Sequence, residues 1–109
     1  MDLDQFLTTP TLTQSRFLCQ PRFTKFYVRK WLWAPTKAAE IRRTIVLANL
    51  RAKKPGAGAL TALIEDLRTR YPRHYVMAEC VTPRAVSGLL RMGFQPLSGF
   101  YEGCFWLPI

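Results

Sequence analysis

Two lysines and two glycines stand together in Lys53-Lys54-Pro55-Gly56-Ala57-Gly58-Ala59, between the apolar run Thr44-Ile45-Val46-Leu47-Ala48-Asn49-Leu50 and a segment with apolar residues at Leu60, Leu63, Ile64 and Leu67. The order reads as strand, glycine turn, helix start. A helix N-terminus leaves backbone N–H groups without partners and carries partial positive charge, so a glycine-rich turn running into it makes a seat for phosphate. Glycines at 56 and 58 let the backbone approach a ligand closely. The chemistry implied is recognition of a phosphate-bearing ligand. A Gly-x-Gly turn also serves as a plain tight connection, and two familiar nucleotide signatures are missing: the turn lacks the Gly-Lys-Ser/Thr ending of a P-loop and the three-glycine spacing of a dinucleotide fingerprint.

The rest of the chain bounds what those residues can belong to. A chain of 109 residues, 49% apolar, is expected to form one globular domain over 1–109 without disulfides or metal. Cys19, Cys80 and Cys104 are scattered, with no C-x-x-C pair and with His74 as the single histidine, which argues against a zinc site and for a reducing compartment. The start, Met1-Asp2-Leu3-Asp4, is acidic and lacks a signal-peptide core, and no run approaches the roughly 18 apolar residues of a membrane span. The expected address is the cytoplasm, with no membrane partner.

Net charge is +9, and it is unevenly spread. Between Arg16 and Lys54 there are eleven Lys and Arg against one acid, Glu40, whereas from Pro55 onward five basic residues face four acidic ones. A basic N-terminal half points to an anionic partner, whether nucleic acid, an acidic protein surface or a phosphorylated ligand; a solvated basic face is the alternative.

Stepping along the chain, residues 1 to 21 form a mixed segment broken at Pro10 and Pro21, with a short helix over Asp2 to Leu7. Phe23 to Trp33, dense in aromatic and β-branched residues, predicts a strand, and Ile41 to Leu50 a second one paired antiparallel with it. Gly58 to Arg70 carries the 3.6-residue apolar period of a helix, closed by Pro72. His74 to Val81 reads as a strand parallel to 41–50 after this crossover. Thr82-Pro83 reads as an N-cap with Pro at N1, opening a helix through Met92 that Gly93 stops, and Phe94 to Ile109 as one or two short strands interrupted at Gly99 and Gly103.

This order, and the residues within it, resemble the GNAT acetyltransferase superfamily. Its pyrophosphate turn reads Gln/Arg-x-x-Gly-x-Gly/Ala, matched here by Lys53-Lys54-Pro55-Gly56-Ala57-Gly58 with lysine in the first place. Further along the family shows Asn-x-x-Ala and a helix ending in Gly-Phe, matched by Thr82-Pro83-Arg84-Ala85 and Gly93-Phe94. The match covers about residues 41 to 107. The fold implied is α/β, a mixed and mostly antiparallel sheet of five or six strands with two main helices, with 1–21 as an abbreviated N-terminal segment. Such compactness resembles small bacterial or phage-encoded members.

The resemblance implies acetyl-CoA as co-substrate and N-acetyl transfer to an unidentified amine, with no metal. Pantetheine would pair with backbone near Ala48, Asn49 and Leu50, where two parallel strands splay. Pyrophosphate would rest on amides from Lys54 through Ala59, including Gly56, Ala57 and Gly58; Lys53, Lys54 or Arg84 would meet the 3′-phosphate, and Thr82 stands where the family has a coenzyme-contacting asparagine. Leu89 occupies the position where many members place a proton-donating tyrosine, and no carboxylate lies within Ile41 to Leu50. Since direct transfer needs a base and an acid, Glu79, near the C-terminal end of the third strand read from sequence, is the candidate base; its other reading is a surface carboxylate paired with Lys or Arg. Tyr101 is the candidate acid, or else a packing residue. Cys80 and Cys104 are nucleophiles in principle and small buried hydrophobes in the commoner role. The short N-terminal part leaves room for a partner chain, a second copy included, to complete the acceptor pocket.

A second class of function competes. Trp31, Trp33, Phe26 and Tyr27 interleave with Lys25, Arg29 and Lys30, the arrangement by which stacking and phosphate attraction hold single-stranded nucleic acid. Core packing accounts for most of those rings. A catalytically degenerate binding module for an acidic protein or nucleic acid is therefore the alternative to an enzyme.

Overall fold

A computed structural model describes residues 1–79 and 82–109. In chain order it contains α1 (Leu3–Thr8), β1 (Gln14–Phe17), β2 (Phe23–Trp33), β3 (Arg42–Ala52), α2 (Ala59–Arg70), β4 (Tyr75–Ala78), α3 (Pro83–Arg91), β5 (Gln95–Pro96), a 3-10 turn (Gly99–Tyr101) and β6 (Phe105–Pro108). The six strands form one sheet in the order β1-β2-β3-β4-β6-β5. Only β3 and β4 run parallel, joined by the α2 crossover; every other pair is antiparallel. The mixed, mostly antiparallel sheet and the two main helices α2 and α3 are as the sequence implies.

Some boundaries differ. β1 goes unread in the sequence because it is an edge strand of four mostly exposed residues without alternation. β3 runs two residues past Leu50. The described part of β4 ends at Ala78, inside the expected 74–81 strand, and Cys80 and Val81 lie outside the described residues.

The two faces of the sheet are covered differently. One buries Val28, Ile45, Leu47, Val76 and Leu107 beneath Leu3 and Phe6 of α1, Leu63, Ile64 and Leu67 of α2, and Leu89 of α3. The other carries Trp33, Val46, Ala48, Tyr75 and Met77 with Trp31, Tyr101 and Trp106 packed against them. Trp33 meets Tyr75, Tyr101 and Trp106 edge to face at 5.8, 6.1 and 6.4 Å, the geometry that aromatic quadrupoles favour. Most of the aromatic residues of the 23–33 strand are thus packed within the domain.

Polar anchors hold α1 in place. Asp2 and Gln5 form a reciprocal capping box at its start. Lys30, buried on the helix-covered face, donates to the Phe6 carbonyl at 2.6 Å, to the Thr9 carbonyl at 3.1 Å and to the Thr9 hydroxyl, so that a cation sits at the negative end of the helix. Burial, and then the nearby Arg43, hold its pKa below the usual lysine value. Asp4 accepts hydrogen bonds from the Tyr71 hydroxyl and from Arg70, which also donates to Asp66 at 2.6 Å, tying α1 to the end of α2. No helix among the described residues is long and apolar enough to cross a membrane.

Candidate functional site

The turn before α2 is built by its own sequence. The Ala57 N–H donates to the Lys54 carbonyl at 3.2 Å, Pro55 stands second, and Gly56 has φ +82, the pattern of a type II turn. Gly58 follows at φ +80 as the N-cap of α2 and offers no side chain to its first turn. The helix therefore begins with partnerless N–H groups that no capping side chain covers, unlike α1. A Cβ placed on Gly56 or Gly58 would meet nothing within 4 Å, so both glycines border open space. The turn itself uses the Ala57 amide, which narrows the expected pyrophosphate seat; Pro55 has no N–H, and the amides of Lys54, Gly56, Gly58 and Ala59 remain.

The other end of the site is an opening in the sheet. Strands β2 and β3 pair Tyr27 with Asn49 and Val28 with Leu47, leaving Ala48 as an extra residue, a β-bulge. The pairing of β3 with β4 ends there, at Leu47 with Ala78, followed by a bond from the Glu79 N–H to the Leu47 carbonyl at 3.0 Å. Beyond it β3 continues through Asn49 and Leu50 with β2 on one side and no strand partner on the other among the described residues. The bulge also changes the phase of β3, so Leu47 and Leu50, three apart, both pack towards the helices. Ala48 faces the aromatic cluster and Asn49 is exposed. Neither residue lines the adjoining hollows, which Leu47 and Leu50 border instead.

A groove joins turn and opening between α2 and α3. The section between the helices, about 370 Å³, is lined by Leu50, Lys54, Gly56, Gly58, Ala59 and residues of α3 that include Ala85, Gly88 and Leu89. An inner hollow of about 120 Å³ continues past Leu50, Leu60 and Leu89 to Ala78, Glu79 and Thr82. Two outer hollows adjoin the turn, one bounded by Thr82, Arg84 and Gly56 and one by Arg22, Lys53, Lys54 and Ala57. Sequence-nominated residues from three separate segments thus meet along one channel: Leu50, Lys53, Lys54, Gly56, Ala57, Gly58, Ala59, Thr82 and Arg84. Thr82 precedes α3 with Pro83 at its first position, as expected, but its hydroxyl makes no capping bond. Arg22 was missed because the turn that carries it lies outside the motifs.

The candidate catalytic residues do not converge. Glu79 lies at the inner end of the groove, but its carboxylate forms an ion pair with Arg29. Tyr101 lies on the aromatic face of the sheet, its ring edge-on to Trp31 and Trp33 at 6.3 and 6.1 Å, the same face on which Arg29 sits over the Trp31 ring, and it does not line the groove. Leu89 is buried in the groove wall. Cys104 is half-buried beside the aromatic cluster, and Cys80 lies outside the described residues. Among the described residues no group of three or more His, Cys, Asp or Glu side chains is placed to hold a metal ion.

A solved structure has a similar fold. It is a Tyr-to-Phe mutant of the toxin AtaT, bound to the C-terminus of the antitoxin AtaR and acetyl-CoA; it aligns with a TM-score of 0.55 at 18% identity over 77% of this chain and 57% of that one. The fold is GNAT-like. At this identity the likeness speaks for the fold, and the chain spans little more than half the length of that neighbour. No family model and no curated protein matches the chain.

Proposed function

We propose that this chain binds acetyl-CoA along the α2–α3 groove and transfers the acetyl group to an amine. One observation carries the reading: the uncapped start of α2, behind a turn whose glycines face open space, adjoins an apolar groove that runs past Leu50 to the end of the β3–β4 pairing, where β3 has no further strand partner on that side among the described residues. Anion-seeking amides at one end and strand-pairing backbone at the other suit an extended ligand with a diphosphate and an amide-bearing arm. The fold neighbour is itself bound to acetyl-CoA.

The thioester, when bound, supplies the activated acyl group. The chain's own residues would hold the diphosphate at Lys54, Gly56, Gly58 and Ala59, align the arm on the backbone of Ala48 to Leu50, and exclude water with Leu50, Leu60 and Leu89. Glu79 would take a proton from the amine, directly or through water, once its Arg29 contact opens. Calorimetric titration with acetyl-CoA tests the reading. Micromolar binding is expected, and absence of heat and of thermal stabilisation at millimolar ligand would remove it.

A degenerate binding module is the second reading, favoured by the Glu79–Arg29 pair and by Leu89 in the groove wall. It predicts salt-sensitive attachment to an anionic partner without acetyl transfer. A protein partner, or a second copy of the chain, would under either reading complete the acceptor side.

A further inference from the structure

The ion pair of Arg29 with Glu79 links the two faces of the sheet. Glu79 borders the inner hollow with Leu47, Leu50 and Leu89 on the helix-covered side, and its N–H closes the β3–β4 pairing on the Leu47 carbonyl. Its carboxylate meets Arg29, whose guanidinium lies over the Trp31 ring at 5.9 Å from the centroid. No described residue of the three α-helices belongs to the aromatic cluster on that side of the sheet. The Arg29 side chain is 38% exposed and that of Glu79 18%, so the arginine half of the pair is open to solvent and the carboxylate half is sheltered.

An amine that reaches Glu79 must displace Arg29, and what it carries decides how favourable that exchange is. Glu79 is the one hydrogen-bond acceptor of the guanidinium among the described residues. A plain amine would take the carboxylate and leave the guanidinium without a protein partner, a loss that a site built around a polar contact turns into discrimination. An acceptor with a carboxylate beside its ammonium replaces one ion pair by two, ammonium on Glu79 and carboxylate on the planar fork of Arg29. In an α-amino acid the two charges are one carbon apart, a spacing that suits two protein groups now in contact with each other.

We propose that the acceptor is a free α-amino acid, held by Arg29 through its carboxylate and by Glu79 through its amine. The assignment rests on the acetyl-transfer reading and adds to it the class of acceptor and the residue that selects it. Glu79 takes one proton from the ammonium; the nitrogen lone pair then forms the C–N bond to the acyl carbon while the C–S bond breaks, the second proton leaves with the coenzyme as its thiol, and the proton on Glu79 passes to water. Arg29 makes no contact with the reacting atoms and sets which amines are held in place.

The test offers acetyl-CoA with an equimolar mixture of the common amino acids or with the matching mixture of their carboxamides, and follows N-acetyl products by mass spectrometry, with acetyl-CoA affinity measured alongside by calorimetry. A neighbouring carboxylate makes an ammonium harder to deprotonate than a carboxamide does, so intrinsic reactivity favours the amides and a preference for the acids reports the site. Wild type is expected to acetylate the acids about 10-fold to 100-fold faster, the range of one charge-assisted contact. In Arg29→Gln the KM for the acids should rise by a similar factor and the preference disappear, with acetyl-CoA affinity within about twofold of wild type. Amides acetylated as fast as acids by wild type, or a preference that survives in Arg29→Gln, overturns the acceptor assignment and leaves acetyl transfer standing. Acetyl-CoA bound with neither mixture acetylated overturns the assignment and leaves coenzyme binding standing, and absence of acetyl-CoA binding overturns both.

Discussion

Arg29 of the second strand forms an ion pair with Glu79 beyond the fourth, reaching across the third on the face that Val46 and Ala48 share. Glu79 is the single carboxylate among the described residues that line the groove, so whatever it does in a reaction begins from this pair.

Glu79→Gln keeps the shape of the groove and removes the base. Under the transferase reading, acetyl-CoA affinity should stay within about twofold while kcat falls roughly 100-fold or more, the range for a lost general base. Unchanged turnover would leave Glu79 as a partner for Arg29 and nothing else.

Gly58→Val fills the space in front of the α2 N-terminus. The left-handed conformation should cost about 1–2 kcal/mol of stability, a modest fall in Tm, while acetyl-CoA affinity drops beyond detection. A variant that binds as wild type would remove the turn from the site.

Lys30→Met deprives the Phe6 and Thr9 carbonyls of a buried donor at the end of α1. A loss of about 2–3 kcal/mol is expected in urea unfolding. A change of less than about 0.5 kcal/mol would show that the ammonium contributes little beyond the packing of its stem.

The Tyr71–Asp4 contact makes stability depend on pH at both extremes. Burial, and then the hydrogen bond to Asp4, push the Tyr71 hydroxyl up to about 12. A raised folded-state pKa gives stability that is full below the ordinary value of about 10 and is lost as pH climbs through 12. The Tyr71 hydroxyl, and then Arg70, hold Asp4 below its usual range, giving stability that is present above about pH 4 and is lost on further acidification. Tyr71→Phe should flatten the alkaline decline and weaken the acid one, at about 1 kcal/mol near neutrality, since Asp4 is half exposed and solvent screens its ion pair. Unfolding midpoints measured from pH 3 to 11 check it, and parallel curves for the two proteins would be the contrary result.

Much of the fold was legible because it depends on short-range signals. The apolar period of 60–67, Thr82-Pro83 and Gly93 each fix an element boundary through local chemistry, and Phe23 to Trp33 is a strand with the bounds its composition gave. β1 was not legible, because an exposed edge strand has no buried face to impose alternation. The site divides the same way. The turn could be read from Gly56 and Gly58, but Arg22 enters only through its backbone bond to Lys53, and the Arg29 partner of Glu79 comes from a strand fifty residues away. Nor could the use of the Ala57 amide be seen before Pro55 was known to sit in a type II turn. Tyr101 lies outside the groove because the rings of Trp31 and Trp33 hold it on the aromatic face, a contact that no local pattern announces.

The extra residue at Ala48 sets sheet regularity against binding. A chain lacking it would pair Val28 and Tyr27 with adjacent residues in an unbroken ladder and would lose the kink beside the groove. Under the acetyl-CoA reading, selection for thermal stability alone would favour loss of that alanine, and the descendants would keep the topology while forgetting the ligand.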